Sequence, residues 1–189
     1  MTNKLLVSLL AGFVAFAWSA FSWMALPFHN KTLNKFSNED VVEMALKMNA
    51  PQKGIYVLPL GDHHDADLSK EQKEAAFKAA QEKMKEGPFA FISIAPQGVS
   101  LGMGPSMGLG LLKDVLTAFL LIMILSLTQN LSFWQKTFFV TGAILAGSIV
   151  SILPNMIWWS FPSDFIALTF IDMIVAWFLA GMVIAKLRP

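Results

Sequence analysis

The sequence predicts a membrane-embedded all-α bundle of four transmembrane helices, with a small extracytoplasmic α/β insert between helices 1 and 2. Three observations carry this. Of 189 residues, 55% are hydrophobic and only 14% charged, where a soluble domain has about a quarter charged. Mean hydropathy is positive. Four apolar stretches each approach the roughly 20 residues that cross a bilayer, and most of the charge lies between the first two.

The first stretch runs from about Leu5 to Leu26. Lys4 followed by an apolar run also fits a secretory signal peptide, with Ala15 and Ala17 as small residues before a cleavage point. The run exceeds the usual signal core, so it is read as a retained anchor. The other spans are expected at Met107 to Thr128, Thr137 to Leu153 and Phe165 to Ala185, the third stopping at Pro154, which cannot continue the hydrogen-bond ladder. The expected domains are residues 1–26, a first transmembrane helix, 27–106, an insert ending in a glycine-rich segment, and 107–189, a three-helix membrane domain.

The insert opens with "NEDVVEMALKM", an amphipathic helix that Ser37 or Asn38 can cap, with Glu39 and Asp40 at its positive end and Pro51 beyond it. "GIYVLPL" reads as a strand, and Pro59 makes it an edge. "SKEQKEAAFKAAQEKMK" is the clearest helix outside the membrane. Its Ser69 and Gln72 have capping-box spacing, Phe77, Ala80 and Met84 share a face, and Glu74 with Lys78 is a favourable i,i+4 pair. "FAFISIA" is a second strand. This α, β, α, β order offers too little core for independent stability, so the insert is expected to lean on the membrane helices or on a partner. The closing "PQGVSLGMGPSMGLG" reads either as a joint or contact surface, where glycine permits close backbone approach, or as a flexible linker.

Orientation follows from lysine and arginine in the short loops. A cytoplasmic N-terminus collects Lys4, Lys136, Lys186 and Arg188 on one side and leaves the loop Pro154 to Ser163 without a basic residue. Both termini are then cytoplasmic and residues 27–106 periplasmic or extracellular, with a bacterial inner membrane as the default. Trp23, Trp158 and Trp159 would mark the outer interface and Trp134 the inner one, while Trp18 and Trp177 fall deeper as packing residues. Small residues set helix contacts in lipid: Ala11, Ala15, Ser19 and Ser22 on the first helix, Ala143, Gly147 and Ser151 on the third, Ala176 and Ala180 on the fourth.

Charges at membrane depth cost several kcal/mol, on the order of 2.5–3.5 by insertion scales, and therefore face a cavity, a partner charge or a functional path. Lys113 and Asp114, in "GLGLLKDVLTAF", must lie within the second span, because the apolar run after them is too short to cross unaided. Asp172 lies about 10 Å inside the fourth span at about 1.5 Å per residue, with Thr169, Ala176 and Ala180 on its face. Both helices run from outside to inside, so the three charges share a depth and can meet. One reading is an ion pair, Lys113 with Asp172 or Asp114 with a hydroxyl, that fixes helix register. Others are a proton or cation relay, a polar site for a small ligand, or pairing with another chain. Asp164 suits the first turn of its helix.

"GDHHDAD" sets His63 and His64 among aspartates, with His29 as the third histidine of the chain. Asp62 with His64, or His63 with Asp65, can each place two ligands on one side, and Asp67 can add a third. A zinc site wants three or four, and Met103 and Met107 would suit copper(I). No recognised metal spacing is present, and an aspartate-rich turn leading into a capped helix is ordinary chemistry. The site reading is therefore first a turn and second a zinc or copper site of His63, His64, Asp65 and His29.

Function classes narrow by exclusion. There is no cysteine, hence no disulfide, no thiolate nucleophile and no covalent c-type haem. The net charge is +1 with no basic stripe, which argues against nucleic acid. GxSxG, P-loop and dinucleotide fingerprints are absent; "GLGLLKD" lacks the third glycine. Cofactors are left unknown. The expectation is a non-enzymatic integral membrane protein, a small subunit or accessory of a membrane assembly acting through its outer domain and the glycine-rich segment, contacting the lipid bilayer and a protein partner or a second copy. The alternatives are an ion, proton or solute transport component using Lys113, Asp114 and Asp172, and a metal-binding protein of the outer face.

Overall fold

The computed structural model describes residues 3–62, 65–99 and 102–187. The elements in chain order are α1 (Lys4–Ala25), a one-turn 3-10 helix (His29–Thr32), α2 (Glu39–Asn49), β1 (Gly54–Leu58), α3 (Lys70–Glu86), β2 (Ala90–Ile94), α4 (Met103–Leu125), α5 (Phe133–Trp159) and α6 (Ser163–Leu187). They divide into two compact units, Met1–Asn34 with Leu101–Pro189, and Lys35–Ser100.

In the first unit α1, α4, α5 and α6 are each long and apolar enough to cross a bilayer, as an integral membrane protein requires. α4 packs on α1, α1 on α6, and α6 on α5. α1 therefore stands between α4 and α6. The core gathers Val7, Ala11 and Ala15 of α1, Ala118 and Ile122 of α4, Val140 of α5, and Ala176, Ala180 and Ile184 of α6. Small residues decide how close the helices come. A Cβ on Gly12 would fall 2.6 Å from the Cα and N of Val115, and one on Gly181 3.1 Å from the carbonyl oxygen of Thr137. Lys4 at the start of α1 donates to the Ser126 hydroxyl just past the end of α4, at 3.4 Å, so these two helices are antiparallel.

The bounds of α5 and the start of α4 differ from the sequence expectation, each for a local reason. α5 begins at Phe133 because Ser132 and Gln135 form a capping box, and it runs through Pro154 to Trp159 instead of stopping there. Proline removes one N–H, but ending a helix inside an apolar layer would strand several more backbone groups. Ser160, at φ 57°, closes it, and the N–H of Phe161 bonds back to the Asn155 carbonyl at 3.1 Å. α4 begins at Met103, so Gly104, Gly108 and Gly110 lie within its first turns and not in a linker. The expected small stripe of α5 also turns outward: Ala143, Gly147 and Ser151 are exposed, and α5 packs through Thr137, Val140 and Ser148.

In the second unit β1 and β2 form a two-stranded antiparallel sheet, Gly54 opposite Ile94 and Leu58 opposite Ala90. Asn38 caps α2, its side chain accepting from the N–H of Val41 at 3.1 Å. α3 starts with the capping box read from the sequence: the Ser69 N–H donates to Gln72 Oε1 at 2.8 Å, and the Gln72 N–H to Ser69 Oγ at 3.3 Å. The core is thin. α2 has no buried residue, and α3 buries only Ala80.

Candidate functional site

Among the described residues of the helical unit, two polar centres stand out. The first joins α1, the 3-10 turn and α6. α1 ends at Ala25, and after Pro27 the chain turns back so that the 3-10 helix contacts α6. This brings in His29, which is 3% exposed. Its Nε2 lies 2.9 Å from the Ser22 hydroxyl and 3.9 Å from Asp172 Oδ2. The Trp18 indole N–H donates to Asp172 Oδ1 at 2.8 Å. Trp18 and Ser22 sit four residues apart on α1 and so share a face. The His29 ring stacks on Trp23, with centroids 4.1 Å apart and planes at 10°, and Phe28 leans on it at 4.8 Å. The Thr32 hydroxyl donates to the His29 carbonyl at 2.8 Å, which holds the turn.

Serine, histidine and aspartate together invite comparison with a nucleophile triad, and the geometry excludes it. In a triad the carboxylate holds one ring nitrogen and the hydroxyl the other. Here Ser22 and Asp172 both face Nε2, and Ser22 is fully buried. No proton passes through the ring from one to the other, and no substrate reaches the hydroxyl. Chemically, the arrangement clamps three chain segments together around one ionisable pair.

The second centre is on α4. Lys113 Nζ donates to Asp114 Oδ1 at 2.6 Å. The two side chains differ in setting: Lys113 is 68% exposed and Asp114 only 4%. Lys113 stands about 15 Å along α4 from Met103 at about 1.5 Å per residue. Leu109, Leu116 and Leu120, at helical spacing from it, are exposed on the same face.

Of Lys113, Asp114 and Asp172, which the sequence allows to meet, the structure brings Lys113 and Asp114 together and gives Asp172 different partners, Trp18 and His29. α1 standing between α4 and α6 is the physical reason, because shared depth does not bring residues together across an intervening helix. Trp18, expected to serve packing, is the donor on Asp172. A deeply placed indole N–H needs an acceptor, and that requirement was the available signal. Ser22 is small, as a helix contact in lipid favours, and its hydroxyl is used as well.

For the metal reading, His63 and His64 lie outside the described residues. Asp65 is used within its own turn, its carboxylate accepting from the N–H of Asp67 at 3.0 Å and its N–H donating to the Asp62 carbonyl at 2.9 Å. His29 belongs to the other unit and turns Nε2 toward Ser22 and Asp172. Among the described residues, no group of three or more histidines, aspartates and glutamates is placed to hold a metal ion. No known protein family, curated protein or solved structure matches the chain.

Proposed function

We propose that this is a non-enzymatic integral membrane protein that serves as a small subunit or accessory of a membrane assembly, through the face of α4 that carries Lys113. The observation behind this reading is the exposed ammonium itself. An ammonium has three donors, and Asp114 takes one. Acyl chains accept none, and a lysine at mid-depth costs about 2.5–3.5 kcal/mol on insertion scales. A second protein at Leu109, Lys113, Leu116 and Leu120 would bury the leucines and supply acceptors to the lysine. The outward Ala143, Gly147 and Ser151 stripe of α5 fits the same reading, since small residues favour helix contact in lipid.

The transport alternative has less support. A relay needs polar groups in sequence along the bundle. The buried hydroxyls of Ser8, Thr137 and Ser148 each donate to a carbonyl one turn back, and the core past Asp172 continues as Ala176, Ala180 and Ile184. The same proposal places both termini in the cytoplasm, of a bacterial inner membrane by default, on the loop charges described above.

The chain has no cysteine, so single cysteines at Leu109, Leu116 and Leu120 give unique cross-linking sites, with exposed Leu6 and Leu9 of α1 as controls. The expected result in native membranes is one adduct of constant mass from the three α4 positions and none from α1. An adduct of twice the chain mass identifies a second copy, and any other constant mass a different subunit. Only lipid adducts from α4, with a monomer in mild detergent, would sink the proposal. Labelling of a cysteine in residues 35–99 by an impermeant reagent on intact cells tests the orientation.

A further inference from the structure

We infer that the groove bordered by α1, α5 and α6 at the Lys186 end of the bundle binds one phospholipid with an acidic headgroup, its acyl chain in the groove and its phosphate on Lys186. The groove holds about 510 Å³ and is lined by Val14 of α1, Phe133 of α5, and Leu179, Met182, Val183 and Lys186 of α6. Its walls are thus apolar except for one ammonium. Lys186 stands one residue before the end of α6, and Leu179 lies seven residues farther into the span, about 10 Å along the helix. Lys4 beside the end of α4, and Gly181 against Thr137 near the start of α5, set the start of α1 and the end of α6 on the same side. From that side Val14 is ten residues past Lys4, about 15 Å along α1. This is the depth of one leaflet of a hydrocarbon core about 30 Å thick. An acyl chain of that leaflet therefore runs the length of the groove with its headgroup at the lysine.

Charge complements this shape. The same end of the unit carries Lys4, Lys136 and Lys186. It has no acidic side chain, because the carboxylates of this unit are Asp114 at mid-span of α4, Asp164 in the first turn of α6, and Asp172 in the half of α6 nearer that turn. Lys4 is engaged with the Ser126 hydroxyl. Lys186 is exposed, and its ammonium has no hydrogen bond or ion pair among the described residues. A cation in the last turn suits the helix dipole without any ligand, but the dipole does not account for the apolar groove that leads to it. Basic pockets between membrane helices bind acidic headgroups, and the apolar length of this one selects a lipid over a free phosphate. A zwitterionic lipid of the same chain length fills the groove equally but brings its own cation, so the lysine supplies the preference. Lys113 is not part of this groove, and the inference does not depend on the role proposed for it.

The test is native mass spectrometry of the full chain released from nanodiscs that hold equal amounts of phosphatidylglycerol and phosphatidylcholine with the same acyl chains. One retained lipid per chain is expected, with phosphatidylglycerol in excess. Lys186→Gln should reduce that excess by about fivefold, the weight of one lysine near an acidic surface. Lys4→Gln, at the same end but outside the groove, should leave it unchanged. Leu179→Trp fills the groove and should abolish retention of both lipids, and Val14→Phe serves if Leu179→Trp does not fold. No retained lipid, equal retention of the two lipids, an excess that survives Lys186→Gln, or a loss as large in Lys4→Gln overturns the inference. Wild-type retention in the folded groove-filling variant overturns it as well.

Discussion

α1 and α2 are both helices with apolar residues at helical spacing, yet they are held by different physics. α1 buries Val7, Ala11, Ala15 and Ser22 and lies between two other helices. α2 has no fully buried residue, Val42 and Leu46 are half-buried, and Val41, Met44 and Met48, one face at spacings of three and four, are all exposed. What α2 has is local: the Asn38 cap, Glu39 and Asp40 at its positive end, and the Glu43–Lys47 pair. α3 extends this pattern, with a full capping box and one buried alanine. The membrane helices are thus specified by volume at their contacts, and the helices of the second unit by groups near their ends. Substitutions should separate the two regimes.

The largest effect is expected at Gly12. The Cβ of any other residue would lie 2.6 Å from the backbone of Val115, and backbone cannot move aside as a flexible side chain can. Gly12→Leu should therefore part α1 from α4 and cost about 3 kcal/mol or more, the upper end for overpacking, read as loss of the folded form in a thermal or SDS titration. A cost under about 1 kcal/mol, the size of a volume-conserving swap, would mean that this contact does not set the spacing. Next comes Trp18→Phe, which leaves Asp172 Oδ1 buried without its donor. About 1–3 kcal/mol is the usual cost of such an orphan. Combining it with Asp172→Leu should recover much of the loss, since removing both partners is close to neutral.

The sequence made some of this visible and hid the rest for identifiable reasons. The second unit was legible because its signals are short-range: Ser69 with Gln72, Asn38 before an amphipathic run, β-formers at Gly54–Leu58 and Ala90–Ile94. The spans were legible by length, but the start of α5 was missed although Ser132 and Gln135 carry the same spacing as Ser69 and Gln72. Lateral order was not legible. Depth along each helix follows from counting residues, but which helices touch depends on contacts such as Gly12 with Val115 and Gly181 with Thr137. Counting therefore sets Asp172 at the depth of Lys113 and Asp114, while its partners are Trp18, on a helix 154 residues away in sequence, and His29.

In the second unit, Ser69→Ala should cost about 1 kcal/mol, the usual value of an N-cap, seen as faster amide exchange confined to Lys70–Glu86. The same end carries a pH dependence. Hydrogen bonding from its own backbone N–H, then from the Ser69 hydroxyl, holds the Glu71 carboxyl below its ordinary range. A lowered carboxyl contributes stability that is present above its unfolded-state value and is lost as pH falls through the folded one. Protection of α3 should therefore weaken on acidification in the wild type, and by less in Ser69→Ala.

The smallest effect is expected on the open face of α2. Val41, Met44 and Met48 are 60%, 63% and 75% exposed, so their replacement by serine removes little contact within the chain. Surface changes of this kind usually fall within about 0.5 kcal/mol. Serine has slightly poorer helix propensity than methionine, so the triple substitution should loosen α2 a little and leave the bundle untouched. Measured in detergent and again in native membranes, it gives the sharpest version of the comparison. Equal and small losses in both media mean that α2 is held by its own ends. A loss above about 2 kcal/mol in membranes alone, the scale of burying a large apolar side chain, means that something present only there covers Met44 and Met48, and α2 then belongs with α1 among the helices specified by contact.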